Sequence, residues 1–261
     1  QIRNQVDRAE SWPQRARVQL TWWKQARYLK RLIEPMRVTT VASAREREVL
    51  AEIGVDPERV HVVPNGAAGA DLERPRAVAE PPRLIYPGAI TYAPNLEAVV
   101  WFLTAVMPRV RAARPDIELW VTGDTGDLPV DRIPNREWAR FTGRLPDVKA
   151  AVGDSAVTVV PLLAGGGTRL KVLESMALGT PVVSTTKGAE GLDVEPGVHL
   201  LAADAADDFA DRVLEVVNDP ARAAALSTAG RERVRARYTW DVIGNDFCDM
   251  VARAVAAGER T

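Results

Sequence analysis

Apolar residues in this chain gather in short runs, separated by longer stretches where they recur every three or four positions. The short runs predict buried strands and the longer stretches predict amphipathic helices. Residues 15–34, rich in Arg, Lys, Trp and Leu, predict a helix ended by Pro35, because the residue before proline avoids the α region. Val38–Ala42 is a β-branched run and predicts a strand. Ser43 is placed to cap a helix from Ala44 to Ile53, with Glu46 completing a capping box and Gly54 stopping the helix. Arg59–Val63 predicts a second strand, closed by Pro64-Asn65-Gly66, so this segment reads as one strand–helix–strand repeat of a parallel sheet. Residues 67–82, with several Pro, Ala and Gly, read as a linker.

A second series of alternating elements follows. Strands are predicted at Leu84–Tyr86, Ile117–Thr122, Phe141–Thr142, Ala156–Val160, Pro181–Ser184 and His199–Leu201. Helices are predicted at Pro94–Arg114, kinked or split at Pro108, at Leu170–Leu178, and over about 205–218, 220–237 and 240–256. Apolar strands alternating with helices predict an α/β fold with a doubly wound parallel sheet covered on both faces. Such sheets bind ligands beyond the carboxyl ends of their strands. Chemistry is therefore expected in the loops after Tyr86, Thr122, Thr142, Val160 and Ser184.

Composition narrows the function classes. The 261 residues are 46% hydrophobic and 26% charged, ordinary for a globular protein, and the net charge of −1 offers no footprint for nucleic acid. Arg15 to Arg37 is the one basic concentration, with Trp22, Trp23 and Tyr28 interleaved. It reads either as a solvated helix face or as a peripheral contact with an anionic membrane surface. A single cysteine, Cys248, can form no internal disulfide and fits a reducing, cytoplasmic setting. The polar start Gln1-Ile2-Arg3-Asn4-Gln5 holds no secretory apolar region, and no run approaches the ~20 apolar residues of a membrane span. The chain begins with Gln1 rather than Met and reads as a fragment or a processed product.

The most informative stretch is Gly165-Gly166-Gly167-Thr168-Arg169-Leu170-Lys171-Val172-Leu173-Glu174, which follows the apolar run Val159-Val160. Glycines allow close backbone approach to a ligand, and a helix start offers unpaired N–H groups and a positive dipole end, together an anion site. Arg169 and Lys171 in the first turn oppose that dipole unless an anion sits between them. Glu174 stands on a helix whose Leu170, Val172, Leu173, Met176, Ala177 and Leu178 predict burial almost all round. A carboxylate there needs partners: ribose hydroxyls would serve, and so would an ion pair with Lys171 three residues earlier. The stretch has neither a Walker Gly-Lys-Ser/Thr nor a Gly-x-Gly-x-x-Gly pattern. The residues alone thus specify an anion or nucleotide site.

Gly165 to Val183 resembles the carboxyl-terminal domain of family-4 retaining glycosyltransferases, two-domain GT-B enzymes that use nucleotide-diphosphate sugars. The resemblance covers residues from about 38 to 247. Ser43 with Arg45-Glu46-Arg47, and Val63-Pro64-Asn65-Gly66, look like the exit from the amino-terminal domain. Tyr86-Pro87-Gly88 with Pro94-Asn95, then Phe141-Thr142-Gly143-Arg144, look like strands and turns of the donor domain. Tyr238-Thr239-Trp240 looks like the entry to a last helix that crosses back. The resemblance implies a Rossmann-like donor domain over 76–238, an incomplete second Rossmann-like domain over 1–75, and a crossing helix over 239–261.

The resemblance also implies roles. Glu174 is the second of two motif glutamates and would bind the donor ribose, whereas the first falls on Gly166, which removes a carboxylate expected near the donor sugar. Arg169 and Lys171 would neutralise the diphosphate and stabilise the leaving group, taking over from the loop Gly88-Ala89-Ile90-Thr91-Tyr92, which has no positive charge. Gly88, Gly165, Gly166, Gly167, Thr168 and Leu170 complete the implied donor contacts. The implied reaction transfers a sugar with retention to a glycan or lipid-linked acceptor. It uses no metal and no cofactor beyond the nucleotide-sugar co-substrate. Asp124 and Asp127 flank Thr125-Gly126 as a turn rather than a metal motif.

His61, His199 and Cys248 read as structural, and Asp204, Asp207, Asp208 and Asp211 as acids at a helix start. Glu190 and Arg144 follow strands, and each either faces the site or pairs elsewhere. The acceptor side would lie in an amino-terminal half absent from this chain, so the chain alone is expected to bind donor weakly and transfer poorly. Two other functions compete: a nucleotide-sugar epimerase on a GT-B scaffold, and a non-catalytic nucleotide-sugar-binding or assembly module.

Overall fold

The computed structural model describes residues 11–258, so the polar start at Gln1–Gln5 lies outside the described residues. The chain divides into two compact units, one of residues 1–65, 165–168 and 243–261, the other of residues 66–164 and 169–242.

In the first unit, α1 (Trp12–Ile33) leads to β1 (Thr39–Val41), α2 (Ala44–Glu52) and β2 (Val60–Val62). β1 and β2 pair in parallel, Thr39 opposite Val60, as the strand–helix–strand reading requires. Ser43 caps α2, its hydroxyl accepting from the Glu46 N–H at 3.2 Å, while the Glu46 carboxylate takes the Ala42 N–H at 2.8 Å. That closes a capping box whose return bond lands one residue early. Leu50, Val55 and Val60 form a small core, with Ile33, Val41 and Ile53 against it. The Arg59 guanidinium ties the end of α1 to β2 by donating to the Glu34 carbonyl at 3.1 Å. No residue of α1 is buried.

The second unit holds β3 (Arg83–Pro87), β4 (Glu118–Thr122), β5 (Ala139–Gly143), β6 (Val157–Val160), β7 (Val182–Ser184) and β8 (Leu201–Ala202) in one sheet of order β5-β4-β3-β6-β7-β8. Every pairing is parallel. The chain winds outward from β3 to β5, crosses back, and winds the other way from β6 to β8. The carboxyl ends of β3 and β6 therefore flank the switch point where doubly wound sheets open a crevice. Leu84 and Tyr86 face the large core and Ile85 a second cluster with Ala151, Val152 and Leu178, so the central strand is covered on both faces.

The helices of this unit are α3 (Ala93–Trp101), α4 (Met107–Ala113), α5 (Val148–Gly153), α6 (Leu170–Ala177), α7 (Ala206–Asn218) and α8 (Pro220–Arg237), followed by α9 (Trp240–Gly258), whose residues from Ile243 onward belong to the first unit. The split foreseen at Pro108 is a wide π-type turn, Phe102–Val106, between α3 and α4. Proline lacks the N–H that the preceding turn needs, and the extra residue per turn absorbs the loss. Phe209 on α7 packs edge-on against Trp101 and Phe102, each ring centroid 5.8 Å away. Phe209 is fully buried, so Phe209→Ala is expected to cost about 3–5 kcal/mol in thermal unfolding. A melting temperature within 2 °C of the parent, on the order of a fraction of that cost, would show that the cluster carries no stability.

Four expectations need correction. Residues 67–82 are more than a linker: Gly69–Glu73 forms a 3-10 turn with Asp71 and Leu72 buried, and Ala67 bridges to Thr239. Leu72 joins the core, and Lys149 neutralises Asp71 with bonds of 2.9 and 2.7 Å. The strand placed at His199–Leu201 is Leu201–Ala202, because His199 closes a turn in which its Nδ1 accepts the Glu195 N–H at 2.9 Å. The strand at Phe141–Thr142 extends over Ala139–Gly143, with Arg140 exposed as sheet edges allow. α5 was not foreseen; it is too short for a periodic signal, and Asp147 caps it by accepting from the Ala150 N–H.

Candidate functional site

Tyr86 ends the buried part of β3, and its hydroxyl is its one polar atom beyond the backbone. That hydroxyl donates to Asn95 Oδ1 at 2.7 Å, and Asn95 Nδ2 donates to the Ala89 carbonyl at 2.7 Å, so the loop after β3 is folded around an asparagine. Lys171, in the first turn of α6, reaches this pair: its Nζ donates to Tyr86 Oη at 2.8 Å and to Asn95 Oδ1 at 3.3 Å. The ammonium also lies 4.0 Å from the Tyr86 ring centroid. Among the described residues, no carboxylate stands within salt-bridge distance of it.

Gly88 belongs to the same cluster. A Cβ there would stand 3.0 Å from Lys171 Nζ and 3.3 Å from Asn95 Nδ2, so a side chain at 88 would press directly on the ammonium.

Electrostatics follow from burial. Desolvation, with the repulsion of Arg169 added, pushes Lys171 down to about 7. Desolvation likewise pushes the Tyr86 phenol well above its ordinary value. Arg169, at the N-cap of α6, is 5% exposed, and burial lowers its pKa while Glu190 opposes the shift. Its Nη2 lies 3.6 Å from Glu190 Oε2, and Lys187 holds the same oxygen in a short ion pair. Two cations thus meet within one turn of helix at the β3–β6 switch point.

Glu174 does not lie where the pattern predicted. Leu170 is 40% exposed, and Glu174, one turn on, is exposed too, so α6 keeps an open stripe instead of being buried all round. The strand β6 and the opposite face, Val172, Leu173 and Met176, supply the burial. Burial by surrounding protein still raises the Glu174 pKa, Lys149 opposes the rise and Asp71 adds to it. The ion pair considered between Lys171 and Glu174 does not form; Lys171 turns to Tyr86 and Asn95 instead.

The glycine stretch belongs to the smaller unit. Gly165 and Gly167 have φ of +100° and +89°, which side chains resist. Gly166 has no such φ. Thr168 Oγ1 accepts from Asn65 Nδ2 at 2.7 Å, linking the stretch to the loop after β2. Arg144 is a surface residue, 3.4 Å from Asp124, and Asp124 makes the foreseen turn by accepting from the Gly126 N–H. Cys248 is exposed on α9. Among the described residues no helix is long and apolar enough to cross a membrane.

Sequence reasoning missed Tyr86, Asn95 and the Asp71–Lys149 pair. A polar-tipped tyrosine inside an apolar strand was the available signal for the first. The second and third depend on contacts 76 and 78 residues apart in sequence, which no local pattern carries.

Comparison with known proteins narrows the assignment. Over 164 residues the chain is 30% identical to the GDP-mannose-dependent monoacylated alpha-(1-6)-phosphatidylinositol monomannoside mannosyltransferase of Corynebacterium glutamicum, covering 57% of this chain and 42% of that protein. It is 26% identical over 237 residues to glycogen synthase of Mycobacterium tuberculosis, covering 85% of this chain and 55% of that one. The chain thus spans about half the length of the curated relatives it matches. Its fold matches the glycosyltransferase from Rickettsia africae, with a TM-score of 0.71 at 12% identity over 87% of this chain and 67% of that one. It also matches Anabaena HepE in complex with UDP-glucose, with a TM-score of 0.71 at 14% identity over 88% and 68% of the two chains. These neighbours identify the α/β architecture as GT-B type. Residues 81–219, which contain the whole six-stranded sheet and the cations Arg169 and Lys171, match the family model for glycosyl transferases group 1. The chain belongs to the glycosyl transferases group 1 family.

Proposed function

We propose that this chain carries the donor-binding part of a retaining, metal-independent glycosyltransferase that moves a hexose from a nucleotide-diphosphate sugar to a glycan or lipid-linked acceptor. The observation that carries this reading is Lys171, a half-buried ammonium with a phenol and an amide for neighbours and, among the described residues, no carboxylate within salt-bridge distance, while the neighbouring Arg169 shares the Glu190 carboxylate with Lys187. Burying like charges together is costly unless an anion joins them. A diphosphate at the start of α6 supplies that anion, and the helix dipole favours the same placement.

In this reading Arg169 and Lys171 hold the diphosphate and stabilise the charge that develops on it as the sugar bond breaks. Glu174, on the open stripe of α6, accepts hydrogen bonds from the ribose hydroxyls. Gly88 leaves room for the Lys171 head. Gly165, Gly166, Gly167 and Thr168 bring backbone close to the donor, and Leu170 contributes apolar contact. The acceptor side belongs to an amino-terminal half. The reaction is placed in the cytoplasm, with α1 as a peripheral contact at the inner membrane face.

Calorimetric titration of the chain with UDP, GDP and ADP, repeated with Glu174→Ala, tests the reading. One nucleotide is expected to bind, and the variant is expected to weaken it about tenfold, as for two lost charge-assisted hydrogen bonds in a partly solvated site. Equal binding by parent and variant removes Glu174 from the ribose. Conversion of the donor sugar to an epimer without acceptor would identify the scaffold as an epimerase instead.

A further inference from the structure

The turn after β7 is braced at both ends. Thr185 Oγ1 donates to the Leu162 carbonyl at 2.5 Å and accepts the Gly188 N–H at 2.9 Å. Thr186 is fixed by Asp204, through its N–H at 2.8 Å and its hydroxyl at 2.7 Å. Gly188 packs so closely that a Cβ would meet Ser184 Oγ at 2.4 Å and the Val160 carbonyl at 2.5 Å. Such bracing holds what the turn presents.

What it presents is Glu190. One carboxylate oxygen, Oε2, is anchored by Arg169 and Lys187. Among the described residues, no hydrogen-bond donor reaches Oε1, and the side chain is 41% exposed. A pre-positioned carboxylate with one oxygen anchored and the other open is a hydrogen-bond acceptor waiting for a ligand. The open oxygen stands beside the guanidinium that, in the reading above, holds the diphosphate. The group attached to that diphosphate is the sugar.

We propose that Glu190 is a specificity-determining residue that accepts hydrogen bonds from hydroxyls of the transferred sugar through Oε1, while Arg169 and Lys187 hold Oε2. The assignment rests on the donor-site reading. It places sugar selection in the loop after β7 and diphosphate binding at the start of α6. A deoxy-sugar donor lacking the contacted hydroxyl leaves the carboxylate unpaired and is rejected for that reason.

The experiment is a calorimetric titration of parent, Glu190→Gln and Lys187→Met with GDP, UDP, GDP-mannose and UDP-glucose. Glu190→Gln preserves volume, and near-parental thermal melting confirms folding. For the sugar donor that the parent binds, affinity is expected to fall tenfold or more in Glu190→Gln, while the matching nucleotide diphosphate stays within threefold of the parent. Lys187→Met is expected to weaken the sugar donor by a smaller factor, because Arg169 still holds Oε2. Equal losses for the sugar donor and the bare diphosphate would make Glu190 a support for Arg169 and overturn the assignment. So would a sugar donor unaffected by Glu190→Gln. A parent that binds none of the four overturns the donor-site reading and this assignment with it, and is recognised because it fails before any variant is compared.

Discussion

Arg169→Met lowers affinity for the nucleoside diphosphate roughly 100-fold, as expected when two charge-assisted hydrogen bonds to a phosphate are lost at a desolvated site. The guanidinium is 5% exposed at the N-cap of α6, so its field is weakly screened. Methionine fills much of the same volume, and Glu190 keeps Lys187 as a partner, so no carboxylate is stranded. Arg169→Lys recovers only part of the loss, because an ammonium lacks the planar fork that grips two phosphate oxygens. Titration of the three proteins with GDP and UDP checks the ranking. Parental affinity in Arg169→Met would move the diphosphate away from α6.

Lys171→Met raises stability at neutral pH and removes a pH dependence that the parent shows. The ammonium is held down to about 7 in the fold, first by burial and then by Arg169, against 10.5 when unfolded. Between those values the unfolded chain binds the extra proton, so parental stability rises with pH across that window and is lowest below it. The difference between the two limbs is on the order of 5 kcal/mol. The groups around Nζ are Tyr86, whose phenol stays protonated through the window, Asn95, which does not titrate, and Arg169, which stays charged. Chemical denaturation of parent and variant at pH 6, 7, 8 and 9 reads it out. Curves that run parallel would mean that the ammonium is not desolvated. Binding has the opposite sign: a diphosphate draws the proton back onto Lys171, so affinity strengthens as pH falls from 9 to 7. The same residue thus costs stability in the empty protein and contributes affinity in the filled one, as functional sites commonly do.

Much of this was legible in the residues, for physical reasons that differ by element. The α2 cap and the β6 run were readable because their signals are local: a serine three residues before a glutamate, and four consecutive buried residues. The glycine stretch and the cations after it were readable because each breaks a local rule. Glu174 was misjudged because counting apolar residues around a helix ignores its direction. Leu170 and Glu174 share the open stripe, and a leucine is no proof of burial. Asn95, Asp71 and the anchoring of Glu190 were beyond reach, since each depends on a partner brought close only by the sheet order.

That sheet order also governs how the polypeptide can assemble. β3, the central strand, pairs early with β4, yet its other edge is closed only by β6, where Leu84 meets Val157 and Ile85 meets Thr158. Until residues near 157–160 are made and docked, a strand with three buried apolar or aromatic residues offers an open edge to any passing chain. Closing it is a long-range event, slow by the entropy of the loop that must be gathered first. The step that completes the switch-point crevice is therefore the same step that closes the exposed edge of the central strand.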